Sequence, residues 1–302
     1  MTTRIILDTD IGTDVDDCLA LALILGSPEL RLEGVTCVYG DALLRARMVL
    51  KLLHLRGITH VPVMAGARKP LLGLRPVYWE GHEGEGLLTE ADESLLPSPE
   101  FAPDYIARMV MENPGQIHLV CIGPLTNAAL AFLRQPEMAR ALAGLTLMGG
   151  VIRGLHDLDL PFAEHNILCD PDAAHIVFSS GAPITFVPLD VTVQTRITPE
   201  GVRRIHSRAT PYHTAVARQI ELYPAFQRRG WTYTHDPLAV ASLIQPEFLT
   251  YRHVHVDVEL KGHKSLGMTL VHGAAGNDSN IRAAVSVDAP RFEEWLVSRL
   301  AG

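Results

Sequence analysis

Short β-branched runs alternate with longer helical patterns along most of this chain, and that alternation is the tightest constraint on what it can fold into. Strand signals fall at residues 4–7, 32–38, 61–64, 117–122, 145–148 and 184–187. Helical periodicity covers 16–25 and 41–55 and recurs near 103–112, 124–142 and 170–180. Strands joined through helices pair in parallel, so the expected fold class is α/β, a mostly parallel sheet flanked by helices. From about residue 198 to 245 the pattern turns helical, which adds C-terminal helices. Residues 253–259 alternate strictly (His, Val, His, Val, Asp, Val, Glu) and read as a strand with one wet face, antiparallel or at an edge. No repeat, low-complexity tract or linker-like break interrupts the 302 residues, which therefore read as one domain.

Charge narrows the partners. Against 26 Lys and Arg stand 34 Asp and Glu, a net −8, which disfavours nucleic acid and anionic membranes. The longest apolar stretch, 19–25, is too short to span a bilayer. The opening MTTRIILDTD has acids where an export signal needs its apolar region, so a cytoplasmic location is expected. Cys18, Cys37, Cys121 and Cys169 are scattered singly, as suits reduced thiols.

Five of the acids, Asp8, Asp10, Asp14, Asp16 and Asp17, crowd one turn, DTDIGTDVDD, at the carboxyl end of the first strand. Ligands of open α/β sheets bind at that end of the strands. Carboxylates this close repel one another, and a bound divalent cation is the simplest compensation. The side-chain ligands on offer are all oxygens, which favours a hard ion such as Ca²⁺ or Mg²⁺ over Zn²⁺. Gly12 allows the sharp turn that would bring Asp10 and the Asp16–Asp17 pair together. Helix capping by Asp16 and Asp17 is the competing explanation, but it does not account for Asp8 and Asp10. An aspartyl-phosphate type of phosphotransferase, with Asp8 as nucleophile, also fits a D-x-D by itself.

Further segments separate these readings. Together with the acidic turn, IGPLTNAA at 122–129, MGG at 148–150, AEHNILCDPDAAHIVF at 163–178 and HDPLA at 235–239 resemble, in order, the motifs of the inosine-uridine preferring nucleoside hydrolase family. The resemblance implies an open, Rossmann-like sheet and a Ca²⁺-dependent N-ribohydrolase that splits ribonucleosides into free base and ribose. Metal-bound water would be the nucleophile. Carried over to this chain, Asp10, Asp17, the backbone carbonyl of Thr126 and Asp236 would ligate the metal. Asp10 would also be the general base, and His235 would protonate the leaving base. Asp16, Glu164 and Asn166 would bind the ribose hydroxyls. Asp41, His82 and Met148 complete the expected substrate contacts, His82 from the long 67–100 segment read as a lid. A homodimer or homotetramer is expected by the same resemblance.

Each of these residues has a plainer reading. Asp236 precedes Pro237 and could cap a helix, Glu164 and Asn166 could be loop polar groups ahead of a helix capped by Asp170, and Met148 could be core. The sequence also departs from the family pattern. Its acidic turn is two residues longer, so the ribose role of Asp16 could fall to Asp14. Gly40-Asp41 stands where the family usually has Gly-Asn, and His165 where it usually has an aromatic residue. Leu158 or Asp159 stands where an Asn usually serves the ribose 5′-hydroxyl. These departures bear on substrate identity more than on reaction type, and a modified nucleoside is one expectation they raise. A non-catalytic nucleoside-binding protein and a metal-dependent phosphohydrolase remain the alternatives.

Overall fold

The computed structural model describes residues 2–73, 75–152, 160–273 and 278–302. Its strands are β1 (Thr3–Thr9), β2 (Leu30–Cys37), β3 (Val63–Ala65), β4 (Ile117–Cys121), β5 (Gly144–Met148), β6 (Ile184–Val187), β7 (Arg196–Ile197), β8 (Thr232–Tyr233), β9 (Leu249–Val258), β10 (Thr269–Gly273) and β11 (Ile281–Val287). Nine of them form one sheet in the order β3-β2-β1-β4-β5-β6-β11-β9-β10, and β7 pairs with β8 apart from it. Pairing is parallel from β3 through β11; β9 is antiparallel to β11, and β10 to β9.

The expected α/β sheet is therefore present, with an antiparallel extension at one margin. The strand read at 253–259 is β9, whose burial alternates as its sequence does. The terminal strand is β10, so β9 is antiparallel without being the edge. β1 lies between β2 and β4 because the chain winds outward from it in both directions, first through β2 and β3 and then through β4, β5 and β6. A crevice opens at such a reversal point, at the carboxyl ends of the strands, where no crossover covers it.

Both faces of the sheet are covered. Ile5 and Leu7 of β1 face one core, with helices Asp16–Leu25, Ala42–Leu55, His235–Ile244 and Ala289–Leu300. Ile6 faces the other, with helices Ala102–Glu112, Thr126–Arg134 and Pro171–Phe178. This is why the first strand reads as a continuous apolar run rather than an alternating one. The helical pattern near 124–142 divides into Thr126–Arg134 and Met138–Ala141, because Pro136 lacks the amide a continuous helix needs and pushes Gln135 out of the helical conformation. The four cysteines are buried and free. Among the described residues, no helix is long and apolar enough to cross a membrane.

A half-buried titratable group lies away from the crevice. His118 on β4 shares a hydrogen bond with Thr146 Oγ1 at 2.9 Å, and its ring occupies the space over Gly144, where a Cβ would lie 2.7 Å from it. Burial pushes His118 down from 6.5 to about 4, and the Arg282 charge adds to the shift. The folded pKa is depressed below the unfolded one, so the native state holds fewer protons, and stability falls as pH drops from 6.5 toward 4. The full shift corresponds to about 3 kcal/mol. Denaturant unfolding at about pH 7.5 and about pH 4.5 should show the wild type losing most of that amount relative to His118→Asn; equal acid losses would contradict the assignment.

Candidate active site

The acidic turn closes over a cavity of about 390 Å³ at the crevice, and Asp10, Asp14, Asp16, Asp17 and Asp236 all line it. Asp10 directly follows β1. Asp16 and Asp17 are the first two residues of helix Asp16–Leu25, and Asp236 is in the first turn of helix His235–Ile244. None of the last three serves as the N-cap of its helix, those positions being Val15 and Thr234. Capping therefore does not explain these acids. Two helix N-termini do aim their partial positive charge at the cluster.

Gly123, just beyond β4, is required by the packing: a Cβ there would lie 2.6 Å from Asp10 Oδ1. The turn itself is held from behind by Arg45, a fully buried cation. Its Nη1 donates to the carbonyls of Asp10 and Ile11, its Nε to Tyr39 O at 2.7 Å, and its Nη2 to Thr13 Oγ1 at 3.0 Å. Sequence reading misses Arg45, yet a signal is there: it falls beside the buried stripe Ala42, Ala46, Val49 and Leu53 of its helix.

Carboxylate oxygens of Asp16, Asp17 and Asp236 lie within 4.8 Å of one another, all three buried. The backbone amide of Asp236 donates to Asp16 Oδ2 at 3.2 Å, and Thr9 Oγ1 donates to Asp17 Oδ1. Burial is the main force pushing Asp10, Asp16, Asp17 and Asp236 above the usual carboxylate range, and for the last three the neighbouring carboxylates push further the same way. For Asp236 those neighbours are chiefly Asp16, Asp17 and Asp10. A buried all-oxygen cluster with repelling charges fits a hard divalent cation, which would offset the repulsion that burial magnifies.

The structure places several of the expected residues elsewhere. Asp16 stands in the close carboxylate triad where Asp10 was expected, while Asp10 lines the same cavity. Thr126 is not at the cavity: it begins helix Thr126–Arg134 and its hydroxyl donates to Asp170 Oδ2 at 2.7 Å. Ile122, just past the carboxyl end of β4, lines the cavity instead. Asp41 is also outside it, because its carboxylate caps helix Ala42–Leu55 by accepting from the amides of Leu43 and Leu44. Asp8 is fully buried beneath the turn, where Thr36 and Asn127 donate to its Oδ1 and burial pushes it up to about 7. It does not line the cavity, so it is not placed to be a nucleophile. Leu158 and Asp159 lie outside the described residues.

The remaining expected residues come together. Glu164, Asn166, Met148, His82 and His235 all line the cavity. Glu164 caps the short helix His165–Cys169, a role the plainer reading gave only to Asp170 for the next helix: Oε1 accepts from the Asn166 amide, and Oε2 from the amides of Gly150 and Ile167. Two carboxylate oxygens offer about four acceptor sites, so these bonds orient Glu164 without exhausting it. Asn166 donates through Nδ2 to Ile122 O at 2.9 Å and to Met148 O at 3.2 Å, which leaves its Oδ1 as an acceptor. His82 Nε2 is 3.1 Å from Thr13 O, which ties the long segment to the acidic turn. His235 Nδ1 pairs with Thr192 Oγ1 at 2.7 Å. Burial pushes His235 down to about 4, against the opposing pull of Asp14, so its ring is neutral at neutral pH.

The sequence profile of the inosine-uridine preferring nucleoside hydrolases matches residues 5–294. The chain belongs to that family. A pyrimidine-specific ribonucleoside hydrolase RihA from Enterobacter sp. (strain 638) is 37% identical, over 100% of this chain and 98% of that protein. The corresponding Citrobacter koseri protein is 35% identical over 100% and 99%. Among solved structures, a purine-preferring ribonucleoside hydrolase from Gardnerella vaginalis superposes with a TM-score of 0.88 at 32% identity, covering 99% of this chain and 98% of its own. A plant nucleoside hydrolase, PpNRh1, gives 0.87 at 29% identity with full coverage of both chains. This nucleoside hydrolase is thus an N-glycosyl hydrolase from a metal-dependent family, and its acidic triad could hold a metal ion.

Proposed function

We propose that this nucleoside hydrolase cleaves the N-glycosidic bond of ribonucleosides with bound Ca²⁺, using Asp10 as general base. The observation that carries the reading is the convergence of Asp10, Asp16, Asp17 and Asp236 with Glu164, Asn166 and His235 on one cavity. Asp16, Asp17, Asp236 and the carbonyl of Ile122 would hold the ion, with Asp10 beside them. When bound, the ion supplies a positive charge that orients and acidifies a water and the ribose hydroxyls.

The protein's own groups do the rest. Asp10 accepts the proton of the attacking water, and burial, which raises its affinity for a proton, suits it to that task. Glu164 and the Asn166 carbonyl oxygen accept hydrogen bonds from ribose hydroxyls, and such bonds tighten as the sugar gains oxocarbenium character. His235, neutral in the ground state, orients the base by hydrogen bonding and takes part in proton delivery only as negative charge grows on the leaving base.

The relatives' names split between pyrimidine and purine substrates. We assign the pyrimidine ribonucleosides as preferred substrates, supported by the higher identity to the pyrimidine-specific relatives. Reducing-sugar release from uridine, cytidine, inosine and adenosine, with and without chelator, tests the assignment. Uridine should be turned over more efficiently than inosine or adenosine, and chelator should abolish release. Chelator-independent turnover would remove the cation from the reading, and binding without release would make the protein a nucleoside binder.

A further inference from the structure

The cavity lining carries a pair that the reaction above does not use. Tyr223, the one residue between helices Pro211–Leu222 and Pro224–Arg229, donates its hydroxyl proton to Asp14 Oδ2 at 2.8 Å. Asp14 Oδ1 accepts from the Val15 amide at 2.6 Å. Both side chains line the cavity.

A phenol has one proton and two acceptor lone pairs. Here the proton is committed to a carboxylate, and a charge-assisted bond of that kind outcompetes the neutral acceptors of a nucleobase. Toward the cavity, the Tyr223 oxygen and the remaining lone pairs of Asp14 therefore present acceptors. Arg228, which also lines the cavity, is a donor without acceptor capacity. With the ribose held by Asp16, Glu164 and Asn166, the Asp14–Tyr223 acceptor pair and the Arg228 donor in the same lining complement a base edge with N–H beside C=O.

Resting on the nucleoside hydrolase reading, we propose that Asp14 is a positioning residue that holds Tyr223 as the acceptor for a base N–H, so that substrates such as uridine and inosine are selected through that N–H. A base whose ring nitrogen is methylated cannot satisfy the acceptors it desolvates, and polar sites reject such analogues more strongly than apolar ones do.

Steady-state kinetics of the full chain with Ca²⁺ on uridine against N3-methyluridine, and on inosine against N1-methylinosine, test the assignment. The wild type should favour each parent over its methylated analogue by about 10- to 100-fold in kcat/KM, mainly through KM. Tyr223→Phe and Asp14→Ala should lose about that factor on the parents and under about threefold on the analogues, so that discrimination collapses. Asp14→Asn, which keeps an oxygen acceptor for the phenol, should retain part of it. Equal handling of parent and analogue by the wild type overturns the inference, as do variants that lose activity on both alike, since that pattern marks a purely structural role. No turnover of any of the four would overturn the functional reading and this inference with it, whereas uridine turnover without discrimination overturns the inference alone.

Discussion

Asp10→Asn should lower kcat by about 10²- to 10⁴-fold, the range a positioned general base contributes. The amide is nearly the same shape as the carboxylate, so packing against Gly123 persists, and the carbonyls held by Arg45 belong to the backbone, which the substitution leaves in place. What it removes is the ability to take a proton. The loss should therefore appear in kcat more than in KM, measured as sugar release at saturating uridine, with thermal melts reporting an intact fold. A variant within about tenfold of the wild type would assign proton transfer elsewhere.

Removal of the cation should cost both activity and stability. A cation that binds only the folded chain stabilises it by RT ln(1 + [L]/Kd), about 2.7 kcal/mol at a hundred times Kd. Denaturant unfolding of the chelated protein with and without added Ca²⁺ reads this difference directly. Asp17→Asn and Asp236→Asn each take a buried charge out of the triad, so their chelated forms should be as stable as the wild type or more so. Their Ca²⁺-dependent gain should fall below about 1 kcal/mol. A gain as large as the wild type's would place the ion away from these carboxylates.

Much of this arrangement is legible before any coordinates. Six parallel strands and the helices between them follow from β-branched runs and helical periodicity, because those patterns report which faces are buried. The acidic turn stands out because five carboxylates in one short loop demand a compensating charge. β7, β8, β10 and β11 are not legible in the same way, since two-residue strands carry no period and β11 is interrupted by Ser286 and flanked by polar residues.

Of the residues lining the cavity, sequence reading names Asp10, Asp16, Asp17, Asp236, Glu164 and Asn166 and does not name Ile122 or Tyr223. Thr126 and Asp41 look like site residues in the sequence, but their polar atoms are used locally, in a bond to Asp170 and in a helix cap. Ile122 has no polar side chain to advertise its carbonyl. Tyr223 meets Asp14 across 209 residues, a separation no local pattern encodes.

The sequence by itself determined the class of fold, the acidic turn at a strand's carboxyl end and the family resemblance, because all three are properties of residue type and short-range spacing. Only the tertiary structure decided which acids converge, that Asp8 lies beneath the cavity while Asp236 completes the triad, and that Asp14 faces Tyr223. Convergence depends on how two helices pack their N-termini against one strand end. That packing follows from burial over the whole sheet, which no stretch of sequence specifies alone.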